Sequence, residues 1–172
     1  ILPKVIQHVA ALTASDNIIL TGNSGGGFAS LLYGSLIPST VVVINPQTNI
    51  ARYIADVYKK YASVCFDWDG SGDPGFGNHL ITNLVDRFAK TNLPRGIYLQ
   101  NKSDWHTKGH AIPFLEAIGA EASPVNQTIG DLSFLFGEWG EGHAPLPKAP
   151  YKEILAEAIR GGDIYIKAVR EC

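Results

Sequence analysis

The residues of this chain best suited to chemistry lie in "TGNSGGGFASLL", where Ser24 sits between Asn23 and the glycines 25–27, after a short apolar run. Three kinds of site use glycines in this way: a phosphate cradle, a dinucleotide-binding turn, and a nucleophile held on a sharp bend. A phosphate loop needs Gly-x-x-x-x-Gly-Lys-Ser/Thr. Gly22 and Gly27 have that separation, but Phe28 stands where the phosphate-binding lysine must be. A dinucleotide turn needs Gly-x-Gly-x-x-Gly, and no register of Gly22, Gly25, Gly26 and Gly27 supplies it. Gly22-Asn23-Ser24-Gly25-Gly26 does match Gly-x-Ser-x-Gly. In that motif the serine occupies a strained strand-to-helix turn, and residues two positions away lack side chains so that backbones can approach. The helix that follows adds a positive dipole end and free N–H groups beneath a developing oxyanion. The same residues also fit a glycine-rich helix start capped by Ser24, and the pentapeptide alone leaves both readings open.

A serine hydroxyl is not ionised at neutral pH; it needs a base, and the base needs an orienting carboxylate. In an α/β sheet reactive groups collect beyond the carboxyl ends of the strands. Asp104 lies shortly after the apolar run 97–100, and His143 lies in a glycine-rich loop after the run 132–136. The order is Ser24, Asp104, His143, each following its own expected strand.

With "GNSGG" at the bend, "YLQNKSDWH" around Asp104 and "FGEWGEGHAP" around His143, the chain resembles the α/β-hydrolase superfamily from about residue 1 to residue 158. The resemblance implies that Ser24 is the nucleophile, His143 the general base and then acid, and Asp104 the residue orienting His143. It implies one oxyanion donor from the Gly25 N–H. Asn23, Trp105 and Trp139 are expected beside the substrate, the two tryptophans as an aromatic wall for an acyl chain or a sugar face. The expected reaction is cleavage of an ester through an acyl-enzyme, without metal or organic cofactor, on a small-molecule or glycan ester. The alternatives are an acyltransferase, acting on carbohydrate, and a non-catalytic binding or assembly subunit that retains the fold. In that superfamily the nucleophile follows the fifth strand of eight, and a second oxyanion donor comes from the loop after the third. The expectation is therefore that the first four strands are missing from this chain, leaving an open apolar edge for a partner segment or chain to complete. The absence of methionine likewise raises the expectation of a processed or excised piece.

The elements that must position these residues are legible as hydrophobic patterning. Val5, Ile6, Val9 and Leu12 have helical spacing, and residues 18–21 read as a strand buried on both faces. Phe28, Leu31 and Leu32 suit a helix, 41–44 a second buried strand closed by Asn45-Pro46, and 51–62 an amphipathic helix. The turn-rich stretch 67–79 is an irregular excursion, and 48–79 as a whole suits a lid. A helix over 80–88, a strand at 97–100, a helix near 108–118 ended by Gly119, a strand at 132–136 and a helix around 154–159 follow. Strand and helix alternate, which predicts right-handed crossovers and a three-layer α/β sandwich with a mostly parallel sheet in a single domain, 1–172.

Bulk properties exclude several classes. The 172 residues carry a net charge of −2, with 45% hydrophobic and 17% charged residues. That is ordinary globular composition, with no electrostatic case for nucleic acid or an anionic membrane surface. No apolar run approaches the roughly 18 residues that span a bilayer. Cys65 and Cys172 form no disulfide framework, and Asn101 and Asn126 head glycosylation-type tripeptides common by chance, so the compartment stays open. His8 reads as surface and His79 as a cap. Asp104, His106 and His110 have a metal-like spacing but no HExxH or CxxC companion, and they read as loop and helix-start residues. His106 as base in place of His143 sits too close to the acid in sequence. Asp67, Asp69, Ser71 and Asp73 resemble the start of a calcium loop whose twelfth place is Asn78 rather than glutamate. Trp68 reads as a loop residue, and Glu138 and Glu141 read as solvated loop charge.

Overall fold

The computed structural model describes residues 1–71 and 81–171, so His79, Asp73, Asn78, Cys172 and much of the 67–79 excursion lie outside the described residues. In chain order the strands are β1 (Ile19–Asn23), β2 (Thr40–Ile44), β3 (Arg95–Asn101), β4 (Gln127–Ile129) and β5 (Leu132–Gly137). In space they run β1-β2-β3-β5-β4, with every pairing parallel except the last. The helices are α1 (Leu2–Leu12), α2 (Ser24–Gly34), α3 (Ala55–Phe66), α4 (Leu84–Phe88), α5 (Ile112–Ala117), α6 (Lys148–Arg160) and α7 (Ile164–Glu171).

The central strands are β-branched and aromatic runs buried on both faces, and their period-two alternation divides the core. Val41, Val43, Tyr98, Phe134 and Phe136 face Phe28 and Leu31 of α2, Leu84 and Phe88 of α4, and Phe114 and Leu115 of α5. Val42, Ile44, Ile97, Leu99 and Leu135 face the opposite way, toward Ile154 and Ala158 of α6 and Ala168 of α7. The result is an α/β architecture with a mostly parallel sheet flanked by helices on both faces.

Three expectations are corrected. Residues 19–23 form a half-exposed strand rather than one buried on both faces, because β1 pairs with β2 alone. The helix expected over 51–62 divides into a 3-10 turn, Ile50–Arg52, and α3, which starts later and runs to Phe66. The helix expected over 80–88 begins at Leu84, where Asn83 Oδ1 accepts the Val85 N–H. Strand β4 and helix α7 are additions. The β4–β5 hairpin turns on Gly130-Asp131, with Gly130 at φ +57°, and this dipeptide was a readable hairpin signal. Helix α1 buries no residue, and Leu2, Val5, Val9 and Leu12 are exposed along it. Among the described residues no helix is long and apolar enough to cross a membrane.

Candidate active site

The parallel strands share one carboxyl edge, and the candidate residues follow it. At the end of β1 the chain reverses into α2 with no intervening loop, and Ser24 takes φ +50°, a left-handed conformation that costs a non-glycine residue free energy. Asn23 occupies the helix cap position without a capping bond, and Ser24 is the first helical residue, so Ser24 is not the cap. A Cβ on Gly22 would run into the Gly26 carbonyl, and one on Gly27 would run into Pro46. A Cβ on Gly26 would meet nothing within 4 Å. The close approaches thus need Gly22 and Gly27, not both outer glycines of the pentapeptide. Ser24 Oγ accepts a 3.4 Å hydrogen bond from Gln47 Nε2, and the Gln47 N–H donates to the Ser24 carbonyl at 3.0 Å. No hydrogen bond joins Ser24 to His143 in this structure. Such contacts are commonly long before substrate binds.

On the acid side the bonding is dense. Asp104 is buried, and its Oδ2 accepts a 2.6 Å hydrogen bond from His143 Nδ1. Its Oδ1 accepts from the His106 backbone N–H at 2.9 Å and from His106 Nδ1 at 3.0 Å. Burial alone would raise the Asp104 pKa, but these bonds from His106 and His143 outweigh it and hold the carboxyl below its ordinary value of 3.8. With Nδ1 committed to the carboxylate, the neutral ring of His143 carries its lone pair on Nε2, the tautomer a general base requires. The His143 side chain is 38% exposed, so that nitrogen is within reach of a substrate-bound proton.

His106 and His110, expected as ordinary loop and helix-start residues, are both fully buried. His110 lies in a π-helical turn, Thr107–Ala111, that leads into α5. Its Nδ1 accepts the Thr48 N–H at 3.2 Å, and Thr48 Oγ1 donates to the His110 carbonyl at 3.0 Å. Burial, aided by His106 and Arg52, pushes the His110 pKa down to about 3, so this ring is neutral. The ligand-capable atoms of Asp104, His106 and His143 lie within 4.8 Å of one another. In both imidazoles, however, Nδ1 already donates to the carboxylate, and a metal there would have to break both bonds.

The asparagines ending two strands brace this side. Asn45, at φ +44°, donates through Nδ2 to the Ala144 carbonyl at 2.9 Å and accepts the Asn101 N–H at 2.8 Å. Asn101 Nδ2 lies 2.9 Å from the carbonyls of both Gly140 and Gly142 and 3.1 Å from Ser103 Oγ. Together they hold the loop that carries His143. Because Asn101 is buried and its amide committed, it is no glycan acceptor. The sequence reading missed Asn45, Gln47 and Asn101 as site residues. The available signal was a polar residue at the carboxyl end of an otherwise apolar strand.

A cavity of about 250 Å³ opens beside Ser24, lined by Gly25, Phe28, Gln47, Ile50, Tyr53, Val57, Tyr58 and Tyr61. Of the expected substrate-side residues, Trp105 is 43% exposed, and its ring lies 6.1 Å from Tyr53 and 4.0 Å from His106. Trp139 is placed differently. It packs on the α6–α7 side of the sheet and donates through Nε1 to the Ala144 carbonyl at 3.1 Å, so it braces the histidine loop rather than lining the cavity. Asn23 is exposed at the bend. Glu138 pairs loosely with Lys102 at 3.9 Å. Asp69 makes a local turn, accepting from the Ser71 N–H and hydroxyl, and these bonds lower its pKa.

The molecule is thus an α/β protein whose strand ends gather a strained serine and a buried carboxylate–imidazole pair. Its fold is that of a solved protein, the capsule O-acetyltransferase of Neisseria meningitidis serogroup A, with a TM-score of 0.62 at 19% sequence identity. The match covers 92% of this chain and 63% of that one. No protein-family model matches the sequence, and a search of curated proteins finds no match.

Proposed function

We propose that this chain carries the serine, base and acid of an acyltransferase site of α/β-hydrolase type, in a single domain in which Ile50, Tyr53, Val57, Tyr58 and Tyr61 wall the cavity where the acyl group binds. The observation that carries the proposal is the 2.6 Å hydrogen bond between His143 Nδ1 and the buried Asp104 carboxylate, on the same sheet edge as a serine held at φ +50°. His143 Nε2 takes the proton from Ser24 Oγ as the oxygen attacks the carbonyl carbon of an acyl ester or thioester. The Gly25 N–H, at the helix start, stabilises the oxyanion. Collapse of the intermediate breaks the bond to the leaving group, which receives the proton from His143, and leaves an acyl-Ser24 ester. An acceptor hydroxyl, deprotonated by the same imidazole, then attacks the acyl carbon; the ester bond to Ser24 Oγ breaks, and His143 returns the proton to Ser24.

The likeness to a capsule O-acetyltransferase supports transfer to a hydroxyl acceptor ahead of hydrolysis, and a carbohydrate acceptor is the reading we adopt. The exposed Trp105 and neighbouring Tyr53 suit the apolar face of a sugar ring. Because the chain spans 63% of the length of that protein, acceptor and donor are assigned here only by chemical class.

Intact-mass labelling with a fluorophosphonate tests the nucleophile. A single adduct is expected on Ser24, absent after Ser24→Ala, a loss of at least roughly a thousandfold in labelling rate. Equal labelling of Ser24→Ala would refute the assignment. Incubation with a nitrophenyl acyl ester, with and without a polysaccharide acceptor, then separates transfer from hydrolysis: acylated saccharide supports the first, free acid alone the second.

A further inference from the structure

The two oxygens of Asp104 are bound by different imidazoles. Oδ2 meets His143 Nδ1 at 2.6 Å, while Oδ1 accepts both the Nδ1–H and the backbone N–H of His106, at 3.0 and 2.9 Å. A carboxylate rotates broadly about its terminal torsion. Two donors from one residue on a single oxygen fix its plane and turn the other oxygen toward His143. The His106 ring also lies against His143, with centroids 4.2 Å apart and planes at 27°. Behind it the His110 ring stacks at 4.7 Å, also at 27°, and Trp105 packs at 4.0 Å from the His106 centroid. The His143 ring therefore rests on the buried rings of His106 and His110, with the half-exposed Trp105 against them. Because a carboxylate only accepts, His106 Nδ1 must carry a proton, and in the neutral ring Nε2 is a bare acceptor. That nitrogen is buried without a partner, a destabilising arrangement that packing alone does not explain.

We propose that His106 is a positioning residue for the Ser24–His143–Asp104 chemistry: it clamps one oxygen of Asp104 so that the other aligns His143, and its ring supports the imidazole face. This inference rests on the proposed roles of those three residues. The titratable groups facing His106 are Asp104, His143 from the β5–α6 loop and His110 from the π-helical turn; beyond them Arg52 from the 3-10 turn acts on His110, and Tyr98 from β3, held un-ionised by burial and then Asp104, neighbours the carboxylate. Removing the Nδ1–H leaves Oδ1 with the backbone donor alone. The Asp104 charge is then less dispersed and binds the His143 imidazolium more strongly, so the acid limb of activity moves to higher pH.

The test is the second-order rate of fluorophosphonate labelling at Ser24 against pH, in wild type, His106→Phe and His106→Asn. Phenylalanine keeps the ring stack and removes the donor. Asparagine places an Nδ2–H near the lost Nδ1–H. His106→Phe is expected to label at least tenfold more slowly near neutral pH with its acid limb raised, and His106→Asn to recover most of the rate. A wild-type rate and limb in His106→Phe would overturn the proposal. So would a rate loss confined to His106→Asn with the limb unmoved, the signature of ring packing alone, or an equal loss in both variants, which would track neither the donor nor the stack. Should His106→Phe not fold, His106→Gln, whose donor sits one carbon too far, takes its place in the comparison.

If wild type does not label at Ser24, the functional reading fails, and the clamp is still read directly by proton NMR. The low-field His143 Nδ1–H signal is expected at one position in wild type and His106→Asn and shifted and broadened in the donor-free variant, where the carboxylate is no longer fixed. An unchanged signal in that variant would count against the clamp.

Discussion

Around Asp104 the side chains of Asn45, Asn101 and three histidines interlock, although Nε2 of His106 and of His110 is left without a partner, and the loop carrying His143 is tied at Gly140, Gly142 and Ala144. At Ser24 the side chain has one long hydrogen bond, from Gln47, and the strand before it pairs on one side only. The carboxylate and imidazole are preorganised by this chain's own bonds. Ser24, the proposed nucleophile, is positioned chiefly by backbone sterics, through a left-handed φ and glycines packed against each other and Pro46. Alignment of an imidazole needs directional bonds. Presentation of a hydroxyl needs only a bend that nothing can relax.

This contrast is best broken on the acid side, where the largest effect is expected. Asp104→Asn should leave the fold intact and cut the labelling rate by roughly 10⁴-fold, because His143 then loses its required tautomer and its ion partner. Turnover within tenfold of wild type would move the acid elsewhere. Asn101→Ala should release the carbonyls of Gly140 and Gly142, slowing labelling about a hundredfold and destabilising the fold by about 2–3 kcal/mol. Unchanged denaturant midpoint and rate would mean that the loop is held by other contacts.

A smaller effect is expected from pH. Native His110 takes up a proton only at about 3, whereas the unfolded imidazole does so near its ordinary 6.5. Between those values the unfolded state binds the extra proton, so stability is full above 6.5 and falls as pH drops toward 3. Asp104, whose native pKa is depressed, adds to the loss in the same direction below the ordinary carboxylate value. Thermal midpoints across this window should decline less in His110→Phe than in wild type, and parallel curves would contradict the assignment. The smallest effect sharpens the nucleophile side. Gly26→Ala should change stability by no more than about 1 kcal/mol, as an alanine suits a helix with open space around it; its contrast is Gly22→Ala, which should distort the bend and slow labelling, though by no more than Asp104→Asn does. Equal tolerance at both glycines would remove the steric account of Ser24.

How much of this was legible depends on the kind of signal. The apolar strands 41–44 and 97–100 and their alternation with helices were readable because burial on both faces writes itself as continuous β-branched runs. The bend at Ser24 was readable because glycine spacing reports backbone proximity, although the sequence could not say that Gly27 rather than Gly26 makes the second close approach. The order of Ser24, Asp104 and His143 gave their shared sheet edge, since parallel strands all end on one side. It could not give His106, whose proximity to Asp104 in sequence argued against a part in the site. Its ring turns inward where the chain enters a π-helical turn, a backbone detail with no sequence signature. Asn45 and Gln47 were hidden for a related reason: their partners, Ala144 and Ser24, are distant in sequence and meet only through the sheet.

The four residues after β2 have a mechanical consequence. Asn45 grips the loop that carries His143, the Pro46 ring abuts Gly27 at the Ser24 bend, Gln47 bonds both backbone and side chain of Ser24, and Thr48 donates twice to His110, to its ring and to its carbonyl. One short connection therefore ties the Ser24 bend, the His143 loop and the stacked histidines together, so their spacing depends on a single four-residue stretch as well as on the sheet.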